Sequence, residues 1–187
     1  MIRRCTLILS LAVLGLAAPA SAAEHGTSVL RPSGAVADRL RAEGVAFGVV
    51  APATWKAGRL TLPVSSATIG GAAVLRHGGA LTLRAGRRSV TLRAWQVRLG
   101  AQSRVRATIG GVPRTLLTVS AGARRLDAAT GAVALPAATV RLTALGARVL
   151  KRALDLPRLA AGPLGTLAVD ARAAVAPAAP LTPASTP

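Results

Sequence analysis

Ala80-Leu81-Thr82-Leu83-Arg84-Ala85, followed after Gly86 by Ser89 to Leu99 and then by Ser103 to Ile109, is the stretch that decides the fold. In the first segment Leu81 and Leu83 oppose Thr82 and Arg84. In the last, Val105, Ala107 and Ile109 oppose Arg104, Arg106 and Thr108. Alternation with one apolar and one polar face predicts antiparallel strands with one wet side. The middle segment slips phase: Val90, Leu92 and Ala94 share one face, Trp95, Val97 and Leu99 the other. Such a slip predicts a bulge near Ala94-Trp95.

The same alternation recurs outward from this centre. Arg59 to Val64 and Ala138 to Leu142 repeat it, and Leu167 with Val169 repeats it near the end. Val45 to Val50 is a compact apolar run and reads as a buried strand. Glycine-bearing turns separate the runs, and Ala-Thr-Ile-Gly-Gly occurs at both 67–71 and 107–111. With different flanks, the repeat reads as one strand-end turn used twice.

Two short helices complete the pattern. Ala35 to Glu43 carries Val36 and Leu40 on one face, with Ser33 as the expected N-cap and Gly44 as the stop. Thr143 to Leu154 has Thr143 as its cap, Leu145/Val149 and Leu150/Leu154 four apart, and late cations that suit the helix dipole. The expected fold is mainly β with two short helices, a β-rich α+β domain. It is a single antiparallel sandwich or partly closed barrel spanning residues 33–171.

The ends read differently. Arg3-Arg4, an apolar run from Leu7 to Ala18 and the small triplet Ala20-Ser21-Ala22 have the make-up of an export signal over residues 1–22, by the general route. The run is too short to span a bilayer. Residues 23–32 are expected to be a flexible lead-in. Residues 172–187 are rich in Pro, Ala, Ser and Thr and are expected to be a disordered tail. Cleavage after Ala22 would remove Cys5 and Met1, the only cysteine and methionine. The working chain is then expected outside the cytoplasmic membrane, with no disulfide and no membrane span.

The chain has 24 Lys+Arg against 6 Asp+Glu, a formal charge of +18, so its partners are expected to be anionic. Arg84, Arg93, Arg104, Arg106 and Arg141 fall on outward strand phases and form the candidate anion-binding surface. Nucleic acid is disfavoured, because export separates the chain from it and stacking aromatics are scarce. The acids are scattered, and no nucleophile elbow, zinc-protease helix or phosphate loop occurs. Neither catalysis nor a metal site is expected. His25 and His77 are the only histidines, and Arg76-His77-Gly78-Gly79 reads as a turn that presents His77 at a strand end.

Over residues 33–170 the chain resembles the HtaA-type domains, haem-binding modules of actinobacterial cell envelopes. The resemblance runs through the opening helix, His77-Gly78-Gly79 and the three strands after it. It continues to Val140-Arg141-Leu142-Thr143 and Gly162-Pro163-Leu164-Gly165. It implies a mainly β haem-binding fold in which a helix tyrosine ligates iron and the histidine of the His-Gly-Gly turn lies beside it. His77 matches that histidine, with Gly78 and Gly79, and is the expected haem ligand or the group beside that ligand. The tyrosine has no counterpart, since the chain contains none; the helix offers Leu40, Arg41 and Ala42. Haem is therefore the cofactor implied. The rival expectation is a structural or adhesive envelope protein that holds anionic wall polymers or lipid headgroups through its arginines.

Overall fold

The computed structural model describes residues 25–120 and 122–174. The expected signal (1–22) and the expected tail beyond residue 174 lie outside these, but the tail's start at 172 is corrected: the last strand runs to Arg172, and Ala173 is buried with its N–H on the Gly131 carbonyl. In chain order the elements are β1 (Gly26–Pro32), α1 (Ala35–Ala42), β2 (Ala46–Val50), β3 (Thr54–Lys56), β4 (Arg59–Ile69), β5 (Ala73–His77) and β6 (Ala80–Ala85). They continue with β7 (Arg88–Leu99), β8 (Arg104–Ile109), β9 (Val112–Val119), β10 (Arg125–Asp127), β11 (Ala132–Leu142), α2 (Ala144–Leu154) and β12 (Gly162–Arg172).

Following the antiparallel pairings, β1 joins β12, then β11, β9, β8, β7, β5 and β4, and β4 returns to β1. This is a closed eight-strand barrel, the barrel branch of the expectation with its edges fully joined. Eight strands enclose a space that side chains alone can fill. Leu60, Val64, Leu75, Leu99 and Val140 fill it, all at 0% exposure. Beyond the barrel, the first half of β7 pairs with β6, and β6 with β2, making a three-strand flap. Helix α1 packs on β12, and α2 packs on β9 and β7.

The bulge expected near Ala94-Trp95 is present. Ala94 has φ +47, and the β7–β8 register shifts between Arg93 and Gln96. Arg93 and Ala94 both face out, so Val90 and Leu92 before the slip and Trp95, Val97 and Leu99 after it are all buried. One inserted residue lets a single strand serve flap and barrel without turning its apolar face to water. The repeated pentapeptide ends β4 at Ile69 and β8 at Ile109, so both copies close a strand.

Several expectations need correction. Residues 26–32 are no loose lead-in: β1 is a barrel stave, bonded to β12 on one side and β4 on the other. The run Val45 to Val50 is not a buried strand. Val45 is in the core, but β2 is the flap's outer strand, with Val50 47% exposed. Finally, α1 is capped by Gly34, not Ser33, with no side-chain cap. The helix start lies so close to β12 that a Cβ on residue 34 would sit 2.6 Å from the Pro163 carbonyl oxygen. For α2 the expected cap holds: Thr143 Oγ1 accepts from Gly146 N at 2.9 Å and donates to the Thr115 carbonyl at 3.0 Å. Its buried face, however, is Gly146, Ala147, Leu150 and Leu154, and Leu145 is exposed. Among the described residues no helix is long and apolar enough to cross a membrane.

Candidate functional site

His77 ends β5 pointing into the barrel, at 5% exposure. Its Nε2 lies 2.8 Å from Ser28 Oγ, and its Nδ1 3.4 Å from the Trp95 carbonyl oxygen. A carbonyl only accepts, so Nδ1 carries the proton and Nε2 accepts from the serine hydroxyl. Trp95 sits in the register gap of the bulge, between the β8 partners of Arg93 and Gln96. The histidine thus donates to the backbone of the bulged strand. Burial lowers the His77 pKa from 6.5 to about 4, only partly opposed by the bond to Trp95. The ring is neutral at pH 7, and both its nitrogens are engaged.

The glycines after it are structural as well. Gly79 has φ +80, and a Cβ there would collide with Ala53 and approach the Val50 carbonyl oxygen to 2.8 Å. A Cβ on Gly78 would meet Pro52 at 3.0 Å. Both glycines let the β5–β6 turn lie flat on the 50–53 loop. The Ser28–His77 contact pairs a hydroxyl with a base, but Ser28 is at 0% exposure and no substrate reaches it. Among the described residues no three of His, Cys, Asp and Glu gather as a metal site.

A concave surface lies elsewhere, one of several depressions among the described residues. Arg31 on β1, Arg41 on α1 and Arg59 on β4 border a groove of about 360 Å³ whose apolar wall is Pro32, Phe47 and Trp55. Phe47 and Trp55 stack with ring centroids 4.9 Å apart and planes 8° from parallel. Beneath them, and sharing Pro32, Phe47 and Trp55, is an apolar cavity of about 40 Å³ reaching Leu40, Leu83 and Trp95. Arg41 donates to the Pro32 carbonyl at 2.9 Å and pairs with Asp38. No carboxylate lines the groove itself. His77 lines neither the groove nor the cavity.

No protein-family model matches the chain, and no curated protein matches it. Solved structures do. The N-terminal domain of HtaA from Corynebacterium glutamicum superposes with a TM-score of 0.62 at 10% identity, over 80% of this chain and 97% of that one. The C-terminal domain of the same protein gives 0.59 at 12%, over 80% and 99%. The fold is that of the HtaA domains.

On this HtaA fold the sequence-predicted site residues separate. His77, Gly78 and Gly79 belong to the barrel interior and its turn. Of the candidate arginines, Arg84 is on the flap and Arg93 is at the bulge. Arg104, Arg106 and Arg141 gather on the barrel's outer wall. The groove arginines Arg31 and Arg41 come from the consecutive elements β1 and α1 and Arg59 from β4, and they carry no common sequence pattern. The aromatic pair could have been noticed: Phe47 and Trp55 are two of the chain's three aromatic residues.

Proposed function

We propose that the chain is an exported, noncatalytic ligand-binding domain of the HtaA type. Its site is the groove of Arg31, Arg41 and Arg59, and its ligand is a flat, apolar molecule bearing carboxylates, such as a porphyrin. The observation that carries this reading is that Arg31, Arg41 and Arg59 line one groove together with a stacked aromatic pair. Guanidinium groups bind carboxylates in bidentate geometry, and aromatic faces accept flat apolar rings. The groove's volume lies in the range of small-molecule sites, roughly 300–1,000 Å³.

Haem held through its iron does not fit these residues. Iron takes His, Cys, Met or Tyr. Among the described residues only His25 and His77 are of those types. His77 is sealed in the barrel with both nitrogens bonded, and His25 lies in a separate depression beside Thr27 and Asp170. The groove suits the propionates and macrocycle of a porphyrin, with no side chain placed for the metal. The expected cleavage after Ala22 is compatible with this fold, because β1 begins only at Gly26.

Parallel titrations with hemin and iron-free protoporphyrin test the site. The two are expected to bind within about threefold of each other, a difference under 1 kcal/mol. Arg31→Gln with Arg59→Gln should weaken both about tenfold or more, the loss of roughly 1.5 kcal/mol or more of charge-assisted bonding. Substituting His77 should leave both unchanged. Hemin binding that needs His77 would overturn the reading, as would protein recovered inside the cell with its leader attached.

A further inference from the structure

The outer wall of the barrel carries a second charged surface. In the eight-strand ring β8 lies four strands from β1 by either route, so this wall faces away from the Arg31 strand. Register fixes its side chains in two rows. In the first, Arg98 is opposite Arg104, Arg104 opposite Thr118, and Thr118 opposite Arg141. In the second, Arg76 is opposite Gln96, Gln96 opposite Arg106, and Arg106 opposite Thr115. The alternate residues Leu75, Val97, Leu99 and Val105 are in the core, so both rows face out. Strands about 4.8 Å apart, and same-face residues about 7 Å apart, put five guanidinium groups on one continuous patch.

Among the described residues no carboxylate pairs with these arginines. None of the six carboxylate residues falls in β5, β7, β8, β9 or β11. Like charges directly opposite across a ladder are destabilising, and Arg98 faces Arg104 without a counter-charge. A face that only needs solvation mixes its signs. This one has a single sign, interleaved with Thr115, Thr118 and Gln96, which donate hydrogen bonds to phosphate oxygens as readily as they solvate.

We infer that this wall docks a linear polymer of phosphodiester units that carries no bases. The charge rows match repeated single negative charges along a chain. The wall is convex, so a flexible polymer follows it and a flat bilayer meets only its crest. The exposed large apolar residues, Val50, Val112 and Leu145, lie outside the rows, leaving nothing there to insert into lipid. The rows hold no aromatic side chain on which a base could stack. This inference stands apart from the groove and survives if the groove takes no porphyrin.

The test uses a base-free phosphodiester oligomer as probe, with phosphatidylglycerol vesicles and oligothymidylate of equal length as comparators. The oligomer is expected to bind with an affinity that falls steeply with salt, at about 0.7 in the log–log slope per phosphate engaged. The triple variant Arg98→Gln, Arg104→Gln, Arg106→Gln should lose about tenfold or more and flatten that slope by about two. The charge-matched triple Arg31→Gln, Arg41→Gln, Arg59→Gln should stay within about twofold. The wall variant should also melt no lower than the parent, because it relieves repulsion. Equal losses in the two triples would reduce the effect to net charge and overturn the proposal. Tighter binding to vesicles or to oligothymidylate than to the base-free oligomer would overturn the assigned partner.

Discussion

Ser28 and Arg31 are three residues apart on the same strand, yet they belong to polar regions built in opposite ways. Ser28 points inward, is fully buried, and is matched with His77, which in turn is matched with Trp95. Arg31 points outward into a groove of three cations, of which Arg41 alone is paired with a carboxylate, Asp38. The inner group ties β1, β5 and β7 together and has no bonding capacity left for a ligand. The outer group has capacity to spare. Histidine is the residue type most often associated with ligand chemistry, but here it completes a scaffold. The binding capacity lies with side chains that the fold leaves unpaired.

Acid separates the two regions most sharply. With its folded pKa near 4 against 6.5 unfolded, His77 binds its proton less readily in the native state. Between those values the unfolded chain holds more protons, so stability is full above about pH 6.5 and falls as pH drops towards 4. The expected loss is on the order of 3 kcal/mol at roughly 1.4 kcal/mol per pKa unit. Denaturant midpoints at pH 7 and pH 4 measure it. In His77→Leu this part of the pH dependence should vanish. A variant that kept the full slope would place the titrating group elsewhere.

The next effect is the coupling inside the buried group. His77→Leu strands the Ser28 hydroxyl in an apolar interior, at a cost of about 1–3 kcal/mol. Removing that hydroxyl too, with Ser28→Ala, should recover about 1–2 kcal/mol relative to the sum of the single changes. A double-mutant cycle by urea unfolding gives the number, and strict additivity would mean that the pair is not an energetic unit. The groove should behave oppositely. Arg31→Gln and Arg59→Gln should each shift stability by no more than about 0.5 kcal/mol, as exposed side chains do.

How much of this was legible depended on where period two survived. β6, β7 and β8 alternate cleanly, and even the bulge at Ala94 announced itself by reversing the phase. β1 was missed because its inward positions are Ser28 and Leu30, so its core face reads as half polar until His77 is known to meet the serine. β9 was missed because Pro113 opens it and the adjacent Leu116 and Leu117 are both buried at a register shift, which erases alternation. β2 was misjudged because apolar runs do not say whether a strand is central or at the rim. Closure of the barrel rests on the β5–β7 and β1–β4 pairings between distant segments, and no local pattern encodes them. The groove was invisible for the same reason. Arg31 and Arg41 lie in consecutive elements, but Arg59 joins them only through the β1–β4 pairing.

The smallest expected effect sits on the lip of the groove. Residues 57 and 58 turn the β3–β4 hairpin with φ +49 at Ala57 and +71 at Gly58. Two positive angles make a turn that favours Asn-Gly, and alanine pays a steric penalty there that asparagine largely avoids. Ala57→Asn should therefore stabilise the protein by about 0.5–1 kcal/mol, read as a higher melting temperature. Ala57 also lines the groove between Trp55 and Arg59. Strain is tolerated at binding sites when it serves the geometry, and a relaxed turn need not present the neighbouring side chains identically. If Ala57→Asn gains stability and keeps porphyrin affinity, the strain is incidental to the site. If it gains stability while affinity falls, the turn is part of what holds Trp55 and Arg59 in place for the ligand, and the groove is the pre-shaped region of this barrel.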